Sequence, residues 1–271
     1  MPARYFLISL YSFLSSFSFA QHDSLLNDPL FLSIGCSQFF DEHEKLDSPA
    51  KTFLITKAKK TVSLESVLKK TGTTAEGDHV LADMDDDGKK ELVTWTSTSG
   101  TNCCEIITIY RRVASNKFQH AARLFGTVCI KESGRIYYDF YAMFGQFFTC
   151  YTCAYEDTSE VSPLPVQSIE LKFAKGKLAV VPGDSELKSV ITDNLDKLSE
   201  QPYQPLNDEV KEDNGLRKEF ALNLAIFYYS FGKNLAGTQR MFNRYYKFHD
   251  AKRVWQTFLA TLNEIKKQNT F

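Results

Sequence analysis

The chain has 271 residues, with 32 Lys and Arg against 33 Asp and Glu, a formal net charge of −1. So even a balance provides no field to draw in nucleic acid or an anionic membrane, and neither is expected as a partner. Apolar residues make up 43% of the chain and include 22 Phe and 13 Tyr. That is enough for a packed core, and many of the aromatics fall in short alternating runs that fit pleated, half-buried strands.

The chain opens MPARYFLISLYSFLSSFSFAQHDS. Arg4 supplies a positive start, Tyr5 to Phe19 an apolar and hydroxyl-rich stretch, and Ser18-Phe19-Ala20 a small-x-small cleavage site before Gln21. This is the pattern of a secretory signal peptide over 1–20. The stretch is short of the ~20 apolar residues of a membrane anchor and is diluted by serine. No later stretch reaches that length, so the mature chain is expected to be soluble, and secreted or periplasmic after cleavage near Ala20. The remainder, roughly 250 residues, makes one large domain or two modest ones.

Residues 21–50 are mixed, and DEHEKLD with His43 reads as loop or short helix. KTFLITKA (51–58) alternates like a strand, and SLESVLKKTG (63–72) combines a serine cap with Leu64, Val67 and Leu68 on one side, a short helix. HVLAD and ELVTWTS read as strands around an acidic loop. CEIITIYRRV and KFQHAARLF are joined by Ala-Ser-Asn, a hairpin signal. RIYYDFYAMF and QFFTCYTCAYE are expected to be strands separated near Gly145. SIELKFA and KLAVV meet at Lys175-Gly176, where glycine can supply the positive φ of a tight turn. The expectation is an antiparallel meander of about eight strands over a β-rich domain spanning 21–182.

Helical periodicity takes over after that. Asp184 or Ser185 can cap a helix bearing Leu187, Val190, Ile191, Leu195 and Leu198 on one face, followed by the connector QPYQPLN, so that 183–207 is helix and linker. From 208 to 271, Leu216, Phe220, Leu224, Phe227, Tyr228 and Phe231 recur every three or four residues and Gly232 stops the run. Met241, Phe242, Tyr245 and Phe248 form a second face. Asp250 can cap a helix with Val254, Trp255, Phe258, Leu262 and Ile265 inward. The fold class is therefore α+β, with three to four C-terminal helices forming a small bundle or packing on the sheet, and with the aromatic stripes serving as core.

The six cysteines, Cys36, Cys103, Cys104, Cys129, Cys150 and Cys153, all follow the cleavage site. An even count in an exported chain points to disulfides, with many connectivities open. Cys103 and Cys104 would face opposite sides of a strand, as would Cys150 and Cys153. One pairing that follows joins 103 and 104 with 150 and 153 and leaves Cys36 for Cys129.

The most specific feature is DMDDDGKKELV (83–93). Asp83, Asp85 and Asp87 alternate, Gly88 permits a sharp turn, the Lys89 carbonyl can point inward, and Glu91 falls at the ninth place. Short carboxylates at this spacing can converge on one hard cation, and all-oxygen ligation suits calcium. An EF-hand requires a bidentate acid at the twelfth place, which is Thr94, and helical flanks, whereas these flanks read as strands. The stretch Asp83-x-Asp85-x-Asp87-Gly88-x-x-Glu91-Leu92 resembles the calcium loop of FG-GAP and VCBS-type repeats, strand-loop-strand units of β-propellers and bacterial surface proteins. The resemblance implies structural calcium held by Asp83, Asp85, Asp87, the Lys89 carbonyl and Glu91. It covers this loop only. There is no second copy, and the chain is too short for a propeller.

Other chemistry is weaker. Cys150-Tyr-Thr-Cys153 has dithiol spacing, but β-like flanks favour a structural disulfide over redox work. Zinc on Cys103, Cys104, Cys150 and Cys153 competes with oxidation in an exported chain. His22, His43, His79, His120 and His249 form no ligand pair, although His79 lies four residues before Asp83. Glu105 and Asp139 are candidate catalytic carboxylates, with nothing in the sequence to unite them. Tyr137, Tyr138, Tyr141, Tyr151 and Tyr155 suit a sheet face that touches a protein or glycan partner. The expected role is a non-catalytic binding or envelope-interaction protein, the alternative an exported hydrolase whose catalytic carboxylates or histidine assemble only in the fold.

Overall fold

The computed structural model describes residues 53–57, 60–70, 79–97, 105–130, 135–151, 167–203 and 213–271. The signal-peptide segment, His22, His43, Cys36, Cys103, Cys104, Cys153, Tyr155 and the end of the 201–207 connector lie outside these residues. In chain order the strands are β1 (Leu54–Lys57), β2 (Lys60–Ser63), β3 (His79–Ala82), β4 (Glu91–Ser97), β5 (Glu105–Ala114), β6 (Lys117–Ile130), β7 (Arg135–Asp139), β8 (Ser168–Ala174) and β9 (Lys177–Val180). The helices are α1 (Leu64–Lys70), α2 (Ser185–Ser199), α3 (Leu216–Ser230), α4 (Leu235–Tyr245) and α5 (Ala251–Gln268). The class is α+β, as expected.

Strands β3 to β9 pair in sequence order, each antiparallel to the next, so the meander is present. The β1–β2 hairpin joins it through a parallel pairing of β1 with the start of β6, Leu54 opposite Lys117. Turn chemistry sets the corners. Asn116 (φ 52°) lies at the β5–β6 corner, and Lys175 (φ 52°) and Gly176 (φ 70°) form the β8–β9 turn. Ser63 caps α1, accepting the Ser66 amide at 3.3 Å.

Strand β6 is the spine. One edge pairs along β5, and the other is shared by three partners. β1 covers Lys117–Gln119 and β7 covers Thr127–Ile130. Between them lies the C-terminal tail, where Thr270 exchanges bonds with Arg123 (2.9 and 3.1 Å) and Asn269 Oδ1 accepts the Phe125 amide at 2.8 Å. Gly126, at φ +149°, marks the crossing to β7, and a Cβ there would lie 2.9 Å from the Tyr138 hydroxyl. That hydroxyl donates to the Phe125 carbonyl at 2.8 Å.

Period-two alternation splits the sheet between two cores. Leu92, Tyr110 and Phe118 meet Phe53, Ile55, Leu64 and Leu68 under α1. Val93 and Ile109, next to Leu92 and Tyr110, face the opposite way, and a bulge in β6 between His120 and Ala122 turns Leu124 to that same side. All three enter a larger core shared with Phe220, Leu224, Phe258 and Leu262 of the C-terminal helices. The helices therefore pack on the sheet. No helix among the described residues is long and apolar enough to cross a membrane.

The sequence reading misplaced one segment. RIYYDFYAMF and QFFTC were expected to be strands, but β7 ends at Asp139 and residues 140–151 form turns. Asp139 Oδ1 accepts the Tyr141 amide at 2.6 Å, which draws the chain out of the ladder. Phe140, Phe144 and Phe147 then share one side of a turn, closed by Phe144 N–Phe140 O (3.1 Å) and Phe147 N–Phe144 O (2.9 Å). All three are buried, and rings stack across Phe140–Tyr229 and Phe144–Phe258. Aromatic alternation mimicked a strand where a turn docks rings onto helices. Cys150 consequently lies off any strand, so the two-faced strand argument for its pairing fails. Neither Cys129, on β6, nor Cys150 is a free thiol. Tyr138, expected on an exposed face, is fully buried.

Candidate metal centre

The loop 83–90 joins β3 to β4, whose register sets Ala82 opposite Glu91 and His79 opposite Thr94. The flanks are strands, and buried Thr94, the twelfth-place residue of an EF-hand, is occupied in the ladder. Asp86 (φ 56°) and Gly88 (φ 79°) both take left-handed backbone, which curls the chain back on itself. Asp is among the side chains that tolerate that conformation, and glycine meets no steric cost there.

Asp83 is the hub of the curl. Its Oδ1 accepts the Asp87 amide at 3.1 Å and its Oδ2 the Gly88 amide at 2.8 Å. Glu91, only 4% exposed, accepts the Met84 amide on Oε2 at 3.0 Å. Asp83, Asp85 and Glu91 each offer an oxygen, all within 4.8 Å of one another. Asp85 Oδ1 is buried and has no hydrogen-bond partner. Burial, reinforced by the charges of Asp85, Asp87 and Asp83, pushes the Glu91 carboxyl up to about 7 against the pull of the Met84 amide.

The other two expected ligands bond to each other. Asp87 Oδ1 accepts the Lys89 amide at 2.8 Å and its Oδ2 pairs with Lys89 Nζ at 3.3 Å. That amide holds the Asp87 carboxyl below its usual range. The pair is exposed at the rim of the loop, while Asp83, Asp85 and Glu91 form its interior. His79 begins β3, at the end away from the loop, packed edge-to-face on Phe53 with centroids 5.8 Å apart.

Glu105 and Asp139 do not meet. They lie on β5 and β7 with β6 between them, Glu105 opposite Gly126 and Asp139 opposite Thr127, two strand spacings or about 10 Å apart. Burial raises Glu105 to about 7, opposed by a hydrogen bond from Trp95.

A buried ionic region was not anticipated. Arg217, fully buried, bonds Asp213 at 2.8 Å and Asp250 at 2.7 Å. Asp250 also accepts the Tyr246 hydroxyl at 2.9 Å, so it does not cap α5 with its side chain as expected. Lys218 lies 3.4 Å from the Tyr141 ring centroid and donates to the Tyr151 carbonyl at 3.0 Å. Burial pulls Lys218 down to about 8, opposed by the charges of Glu219 and Asp139, and pushes Asp139 up to about 6. The signal was available: α3 is apolar nearly all round, and a helix of that kind is enclosed, so cations near its start must be buried too.

Comparison with protein-family models, curated proteins and solved structures gives no significant match for this chain.

Proposed function

We propose that this is an exported, non-catalytic binding or envelope-interaction protein in which the 83–91 loop is a structural calcium clip between β3 and β4. The convergence of Asp83, Asp85 and Glu91 oxygens within 4.8 Å carries the reading, and the unpartnered Asp85 Oδ1 adds to it. Two carboxylates at that spacing repel by roughly 3 kcal/mol at an effective dielectric near 20, so a cation among them relieves a standing cost. Asp83, Asp85 and Glu91 would hold the ion, with Asp87 and the Lys89 carbonyl at the rim. The strand-loop-strand setting agrees with the FG-GAP-type resemblance. Disulfides among the six cysteines would staple the exported sheet, and a protein or glycan would be the partner. Thermal melting in chelator and in calcium tests the clip. Calcium should raise the melting point of the native protein, by mass action on the folded state, and do so far less in Asp85→Asn. An equal shift in both proteins, or none in either, overturns it.

The neighbourhood of Asp139 with Lys218 supports a second reading, an exported hydrolase, because both groups are shifted toward neutral pH. Hydrolysis of a chromogenic glycoside or ester panel that Asp139→Asn abolishes would favour it; unchanged turnover would dismiss it.

A further inference from the structure

Helices α2, α3 and α4 enclose a groove of about 380 Å³. Its apolar wall is Phe227 and Phe231 of the α3 end together with Met241 and Tyr245 of α4. The two Phe rings tilt against each other with centroids 5.1 Å apart. Over this wall stand three exposed cations, Lys188 from α2 and Arg240 and Arg244 from α4. No carboxylate lines the groove. Among the described residues the three cations form no ion pair. The Arg244 guanidinium lies over the Tyr245 ring, 5.1 Å from its centroid, which holds it at the wall. Arg240 and Arg244 are four apart on one helix, a like-charge spacing that weakens α4 and that an anion would offset.

We propose that this groove binds a small amphipathic anion, an aromatic or short aliphatic body carrying one carboxylate or phosphate. The body would lie on Phe227, Phe231 and Met241, with the head toward Arg240, Arg244 and Lys188. A guanidinium presents a planar fork of donors that matches both head groups. The volume sits at the small end of ligand pockets, roughly 300–1,000 Å³, which suits one or two rings rather than a two-chain lipid. The site is remote in sequence from the calcium loop and its test is separate: either can fail while the other stands.

Calorimetric titration of the full chain with 2-naphthoate and 2-naphthyl phosphate tests it, with neutral 2-naphthylmethanol and inorganic phosphate as controls. At least one anionic naphthyl probe should bind one to one with Kd below roughly 1 mM. Its affinity should fall about tenfold or more in Arg240→Gln/Arg244→Gln, less in Lys188→Gln, and as salt rises from roughly 0.05 to 0.5 M. All three positions are exposed, and a melting point no lower than that of the native protein will confirm that the variants fold. Four results overturn the proposal: no binding at millimolar probe, equal affinity for the neutral probe, equal affinity for inorganic phosphate, or undiminished binding in the double variant.

Discussion

Replacing Glu91 with Gln separates the charge at the buried end of the loop from its hydrogen bond. Glu91 is 4% exposed, and its Oε2 holds the Met84 amide at 3.0 Å, a bond that a glutamine oxygen can keep. Its carboxyl is raised from the ordinary 4.5 to about 7. An acid raised on folding holds its proton more tightly in the folded state. The stability it contributes is therefore full below about 4.5 and falls as pH climbs toward 7. That gap, at about 1.36 kcal/mol per pH unit, caps the loss near ~3 kcal/mol. Water at the exposed rim of the loop reduces it to about 1–2 kcal/mol. In chelator at pH 8, Glu91→Gln should thus be more stable than the native protein by about that amount, and the difference should vanish near pH 4.5. Calcium reverses the order, because the ion favours the carboxylate. The native protein gains stability above pH 7 and progressively less below it as protons compete, while the variant gains little. Urea unfolding of both proteins from about pH 4 to 8, with and without calcium, measures this. Glu105, Asp139 and Glu219 are also raised and impose their own pH dependence, but they are common to both proteins and cancel in the difference. A difference that stays flat with pH in chelator, or an equal calcium gain in both proteins, would refute the reasoning.

Three further outcomes concern the frame that positions the site. Deleting Asn269–Phe271 strips Arg123 and Phe125 of their tail partners on β6 and should lower unfolding free energy by about 2–4 kcal/mol; a loss under about 0.5 in urea would show that the tail is dispensable. Gly126→Ala forces a side chain into positive φ and against the Tyr138 hydroxyl, at a cost of about 2–3 kcal/mol by chemical denaturation, part of which Tyr138→Phe should return. Arg217→Met leaves Asp213 and Asp250 buried without a counter-charge and should cost about 3–5 kcal/mol, whereas Arg217→Met with Asp213→Asn and Asp250→Asn should recover much of that loss.

Much of the architecture can be read locally. The 60s helix, the hairpins at Asn116 and Lys175-Gly176, the Asp184 cap and the helical apolar periodicity of the three C-terminal helices follow from residues within a few positions of one another. Strand β2 was missed because KTVS carries no apolar alternation and is mostly exposed. The 140–151 segment was misread because Phe140, Phe144 and Phe147 satisfy a strand-like richness in aromatics while their partners, Tyr229 and Phe258, lie far along the chain. Asp250 sits at the helix start that its type predicts, yet Arg217, distant in sequence, claims its side chain.

By itself the sequence determined the α+β class, the antiparallel meander and the spacing of oxygen donors in DMDDDGKKELV, because hydrophobic period, turn residues and loop ligands are short-range properties of the chain. Only the tertiary structure decided which of those donors meet. Pairing Ala82 with Glu91 brings the glutamate under Asp83 and Asp85, while Lys89 draws Asp87 to the rim. It also decided that Arg217 and Lys218 are buried and that the tail completes the edge of β6. Burial and edge pairing are contacts between segments distant in sequence, and the free energy that selects them arises only when those segments pack.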